Sequence, residues 1–196
     1  MFNFFKKDDK KPKKLWQQFK GKKNTEDLLV EKAKALAPVI IGLSVTGSQK
    51  LKKYHELKNV SDDKVKELSY ELIPFCIHCA DRIAFQYFEP EQRKKFIIAL
   101  FTEIRGDLSS VCENKNDAIQ IMSTFTDTYF NRQEEYSKYE MSVDKDNGHK
   151  NDLFMGFSIK TAHMLGYEMD MRIVMYIFMT VSSSLSAFQL PELFQE

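Results

Sequence analysis

Apolar residues recur every three or four positions in segment after segment of this chain, the spacing of one face of an α-helix rather than the alternation of a strand. The clearest case follows Ser61, which with Asp62 and Asp63 has the composition of a helix start. Val65, Leu68, Leu72, Phe75, Cys79, Ile83 and Tyr87 then step along one side. Pro74 falls inside this stripe without shifting its phase, so the pattern predicts one kinked helix rather than two. Glu89-Pro90-Glu91 places a proline in a first helical turn, and Phe96, Ile97, Leu100, Phe101, Ile104 and Leu108 form the next stripe.

Weaker patterns flank these two. Asn24 with Glu26 and Asp27 opens a helix carrying Leu28, Leu29, Ala33 and Leu36, which Pro38 is expected to kink or end. If the helix continues, Ala37, Ile41, Ser44, Gly47 and Ser48 give it a small-residue stripe suited to close packing. Asp117 begins a helix with Ile119, Met122, Phe125 and Tyr129, and its polar end, NRQEEYSKYE, is expected to be solvated. Residues 142–150 read as a loop, Asn151 or Asp152 as the following cap, and Gly166 as a helix stop. The last helix, from about Glu168 to Gln189, is nearly apolar on all sides between Met171 and Val181, which predicts a place in the middle of the bundle.

Composition sharpens the fold class. With 7 glycines and 5 prolines against 16 phenylalanines and 9 methionines in 196 residues, turn formers are scarce and core fillers plentiful. The expected architecture is all-α, a single-domain helical bundle of about six helices spanning residues 24–196. No internal repeat or sustained heptad breaks that reading.

Charge divides the chain in two. Residues 1–23 hold nine lysines against two aspartates, net +7, whereas the remainder holds 20 basic and 26 acidic residues, net −6. The first segment therefore reads as a flexible basic arm, with an aromatic content that includes the only tryptophan. Phe4, Phe5, Lys13, Lys14, Trp16, Phe19 and Lys20 have the composition of an interfacial anchor, with rings at the headgroup boundary and lysines against anionic lipid. Nucleic acid is the competing polyanion. The absence of arginine from the arm removes the bidentate forks that read bases, and the plain alternative to both is a solubilising tail whose Trp16 packs on the acidic body.

The N-terminal lysines are not followed by an apolar signal core, and Leu36–Val45 and Ile173–Val181 fall short of the roughly 20 residues that span a bilayer. These features predict a cytoplasmic protein, at most peripheral at the inner membrane surface. Three cysteines in such a chain predict free thiols rather than a disulfide framework.

Candidate chemistry concentrates in Phe75–Arg82. Cys76, His78 and Cys79 supply soft metal ligands or a redox pair, although a tetrahedral zinc would need a fourth donor, and both cysteines also fit a packed core. Glu71, His78, Asp81 and Arg82 can share the flank of one helix, as a catalytic pair in a cleft or as an interhelix polar network. The di-iron Glu-x-x-His pattern is missing, and Asp144, Asp146 and Asn147 are out of register for a calcium loop. Walker, G-x-S-x-G and H-E-x-x-H motifs do not occur. Met171, Met175 and Met179 share one stripe, expected to be core and alternatively an adaptable partner groove. With no cofactor expected, the leading functional reading is a non-catalytic adaptor or regulator whose body meets a protein partner or a second copy. Its arm would meet an anionic membrane surface. A metal, redox or catalytic role for the Cys76 cluster and nucleic-acid binding by the arm are the rivals.

Overall fold

Side-chain caps set most of the helix starts. Thr25 accepts from the Leu28 N–H at 3.4 Å, Ser61 from Lys64 at 3.3 Å, Asn114 from Asp117 at 2.9 Å and Asp152 from Met155 at 2.9 Å. Glu89 and Gln92 form a reciprocal capping box around Pro90. The computed structural model describes residues 15–140, 152–168, 170–187 and 189–195. In chain order it contains α1 (Glu26–Lys52), α2 (Asp62–Ala84), α3 (Pro90–Ser110), α4 (Lys115–Tyr136), α5 (Leu153–Met164), α6 (Met171–Ala187) and the short α7 (Leu190–Phe194). There is no strand among the described residues, and the fold is an all-α bundle.

Neither internal proline ends its helix. Pro38 lies on the solvent side of α1, where water can take the carbonyl left without a donor, and the helix runs on to Lys52. Pro74 is buried in α2, and its own carbonyl accepts from the Gln133 side-chain amide of α4 at 3.2 Å, which ties the kink region to the neighbouring helix. The small-residue stripe of α1 is the packing device its sequence suggests. A Cβ on Gly47 would sit 3.5 Å from Leu72, and Ser48 Oγ lies 2.6 Å from Ser69 Oγ on α2.

α2 is the central helix. Every residue from Leu72 to Ala80 is buried, and the helix separates two apolar clusters. Ile73, Cys76, Ile77 and Ala80 face the first, built with α1, α3, α4 and α7. Leu68, Leu72, Phe75 and Cys79 face the second, built with α5 and α6.

This arrangement corrects the expected central place of α6. That helix buries Ile173, Val174, Ile177 and Val181 against α5 and α1, while Met171, Met175 and Met179 are 55%, 40% and 64% exposed. An apolar composition permits burial on every side, but only neighbours supply it, and α6 has them on one side. Met171–Phe194, 24 residues, is also long and apolar enough, by length and composition alone, to cross a membrane, and its most apolar 18-residue stretch has mean hydropathy 1.5 and is 31% buried. In this fold the helical path turns at Gln189, whose φ is +49°, and Leu193 and Phe194 pack into the first cluster.

A second correction concerns the arm. Trp16 and Phe19, expected in a basic surface anchor, are 1% and 3% exposed and belong to the first cluster. Asn24 is buried beside them, accepting from Lys32 Nζ at 2.7 Å while its backbone carbonyl accepts from Gln92. Packing therefore ties Leu15, Trp16 and Phe19 to the body, ahead of the expected boundary at residue 24, because two large rings gain more in an apolar core than in water. Phe4, Phe5, Lys13 and Lys14 lie outside the described residues, as does the loop expected at 142–150.

Candidate functional site

The polar residues singled out on α2 do assemble, but with partners that sequence order conceals. Glu71 takes a bidentate pair from Arg132 of α4, with both N···O distances at 2.6 Å, and Arg132 also reaches Glu135, which Lys160 of α5 meets from the other side. Asp81 binds Arg93 of α3 through both carboxylate oxygens, Nε at 2.6 Å. His78 stands between these ion pairs. Arg82 Nε donates to His78 Nε2 at 3.2 Å, which leaves the proton on Nδ1, donated to Gln133 Oε1 at 2.7 Å. Gln133 in turn donates to the Pro74 carbonyl, and Arg82 also donates to the carbonyls of Ser137 and Tyr139.

These groups form a seam that clamps α4, against expectation, along α2. The polar end of α4 is half-buried at Arg132 and Gln133 and closes on Tyr136, which is 1% exposed. Burial pushes the His78 pKa below its ordinary value, with Arg82 and Arg93 adding to the effect and the Gln133 hydrogen bond and Asp81 opposing it. His78 is thus a neutral imidazole with both nitrogens engaged. A cavity of about 330 Å³ opens beside it, bordered by Asp81, Arg82, Phe85, Arg93 and Ser137. The site offers no nucleophile aligned with a free base, because Asp81 and His78 have already used the atoms that such chemistry requires.

The cysteines are not brought together with His78 as ligands. Cys76 faces the first cluster, with its thiol by Ser44 of α1, and Cys79 faces the second. Burial pushes the Cys76 thiol up to about 12 and that of Cys79 well above its usual value, the opposite of what a thiolate ligand or redox nucleophile needs. Among the described residues no three His, Cys, Asp or Glu side chains converge where a metal ion would sit, which corrects the expected grouping of Cys76, His78 and Cys79.

A second, largely apolar cavity of about 340 Å³ lies between α1, α2 and α3, floored by Ile41 and Val45. Asp107 lines it, its carboxyl pushed up by burial and by Glu103, and Lys66 stands at the same rim. Charges of both signs give this cavity no clear ligand preference.

Among the exposed apolar side chains, those that line up along one helix are the methionines of α6, Met171, Met175 and Met179. No charged residue occurs from Ile173 to Pro191, and the stripe continues past Met179 into Ser183, which is also exposed. Arg172, at its start, is held by Asp170 at 3.0 Å. On the flank, Tyr176 stacks on Tyr54 with ring centres 4.0 Å apart and donates to the Lys50 carbonyl, fixing the helix on α1. The sequence contained this signal as a charge-free run with methionines four apart. What it lacked was the position of α6 at the edge of the bundle. Comparison with known proteins gives no match to a family model, to a curated protein or to a solved structure.

Proposed function

We propose that this chain is a non-catalytic adaptor or regulatory protein. Its helical body takes a protein partner on the uncharged face of α6, and its basic arm docks on an anionic surface such as a membrane. The observation that carries the reading is the exposure of Met171, Met175 and Met179 on a helix whose other face is anchored in the core. Methionine is unbranched and polarizable, so such a stripe adapts to an apolar partner surface at little rotamer cost. The partner's matching face is uncharged, since a charge brought against Ile173–Pro191 would be desolvated without a counter-ion. Occupation of His78 and Asp81 by structural partners supports the non-catalytic part. For the arm, Trp16 and Phe19 are committed to the core, which leaves Phe4, Phe5, Lys13, Lys14 and exposed Lys20 as the contact set.

Two variants of the full chain test the halves separately. Met175→Glu/Met179→Glu should keep the wild-type melting temperature in dilute solution and lose most of the fluorescence enhancement of an apolar naphthalene-sulfonate dye. Unchanged dye binding would remove α6 as the docking face. Phe4→Ser/Phe5→Ser/Lys13→Glu/Lys14→Glu should co-sediment less with phosphatidylserine-containing vesicles than wild type does, and equal sedimentation would remove the membrane half.

A further inference from the structure

We infer that the partner on α6 is a second copy of this chain, packed α6 against α6 in an antiparallel, two-fold arrangement. This rests on α6 being a docking face and names its occupant. A two-fold interface must be complementary to itself, and the α6 stripe has the graded shape that this requires. Met171, Met175, Met179 and Ser183 lie four residues apart along one line, bulky toward the N-terminal end and small toward the C-terminal end. With the axis near Met179, the two flexible Met179 side chains meet each other at the centre, and Met175 of one copy falls opposite Ser183 of the other, so large meets small on either side of the axis.

Electrostatics point the same way. Because Ile173–Pro191 carries no charge, apposing the face with itself brings no like charges together. Antiparallel pairing leaves the Asp170–Arg172 ion pair of each copy at the end of the seam, so the charge nearest the stripe enters already neutralised. Ser183 Oγ donates within its own helix to the Thr180 carbonyl at 3.1 Å, so covering it strands no donor. An anionic bilayer fits less well, since the charged residues that bracket the stripe in sequence are acidic Glu168, Asp170 and Glu192, with Arg172 already paired.

Sedimentation equilibrium of the full chain across a concentration series, joined to one cross-linking arm, tests this. Wild type should show a concentration-dependent shift from monomer to dimer mass, and Met179→Glu should remain monomeric with an unchanged melting temperature. In a Cys112→Ser background, Met179→Cys should give a disulfide-linked dimer on mild oxidation. Ile98→Cys, on α3 and 55% exposed, should not. A wild-type chain that stays monomeric at about 1 mM, where even a weak dimer with a millimolar Kd would be visible, overturns the inference. So does cross-linking that is equal at positions 98 and 179, or Met179-dependent binding to anionic vesicles by a monomer. If the dye experiment above still shows a Met179-dependent apolar face in a monomeric chain, the second copy fails while α6 as a docking face survives. If both fail, the docking reading falls with it.

Discussion

Replacing Tyr136 by phenylalanine should make the protein more stable. The Tyr136 ring is packed edge-on to Phe75 with centroids 5.6 Å apart and lies near Phe157 and His78, contacts a phenylalanine keeps. Its hydroxyl, however, is buried and has no hydrogen-bond partner among the described residues, and burial as the largest cause, with Glu71 adding, drives its pKa far above the ordinary tyrosine value. Leaving a buried donor unmade costs about 1–3 kcal/mol, so Tyr136→Phe removes that penalty without opening a cavity. Taking the lower end, because a half-exposed lysine, Lys160, lies 6.0 Å over the ring and offers the hydroxyl some polar company, the gain is about 1 kcal/mol. For a chain of this length, that is about 2–4 °C in Tm. Urea unfolding should show a higher midpoint at an unchanged slope, since the exposed surface hardly differs. A loss of about 1 kcal/mol or more would mean that the hydroxyl has a partner and that the packing of α4 on α2 is misassigned.

Three further outcomes follow from the site geometry. Because the His78 pKa is lowered in the folded state, the unfolded chain binds the extra proton first as pH falls through about 6.5, so stability should drop below that pH. A denaturant-midpoint series from pH 8 to 5 measures this, and a His78→Gln variant should flatten the step. In the native protein a thiol reagent at pH 8 should leave Cys76 and Cys79 unmodified until unfolding, while half-buried Cys112 reacts; fast labelling of either buried thiol would contradict their assignment to the core. Trp16→Ala should cost about 3–5 kcal/mol in unfolding free energy, whereas a mere tail residue would cost nothing measurable.

The sequence and the fold agree where local chemistry decides. Ser61, Pro90 and Asp152 start their helices as their residue types require, and the stripes of α2 and α3 lie in the core. Agreement ends where a neighbour decides. Trp16 reads as an anchor or as a ring packed on the body, and what decides is a cluster assembled from α1, α2, α3, α4 and α7 that no sequence window contains. Cys76 and Cys79 have the spacing of ligands, but their place on the apolar stripe favours a packed core, and they are buried; what the sequence does not show is that α2 is sandwiched between two clusters, so that one thiol enters each. Glu71 and His78 were legible as a polar flank. Arg132 and Gln133, more than 50 residues away, were hidden in a segment whose polarity suggested solvent. α6 shows the same limit from the other side: a charge-free helix looks central until the fold leaves one face bare.

That bare face is open to direct measurement. Peroxide oxidation of the native chain at low micromolar concentration, followed residue by residue by peptide mass spectrometry, should modify Met171 and Met179 fastest. Met175 should follow, and Met155 and Met164 of α5, which are only half-exposed, should lag. Raising the protein concentration should protect Met175 and Met179 selectively. If the three α6 methionines oxidise no faster than Met155 and Met164 in dilute solution, α6 is covered within the monomer and the account of it as the working surface is wrong.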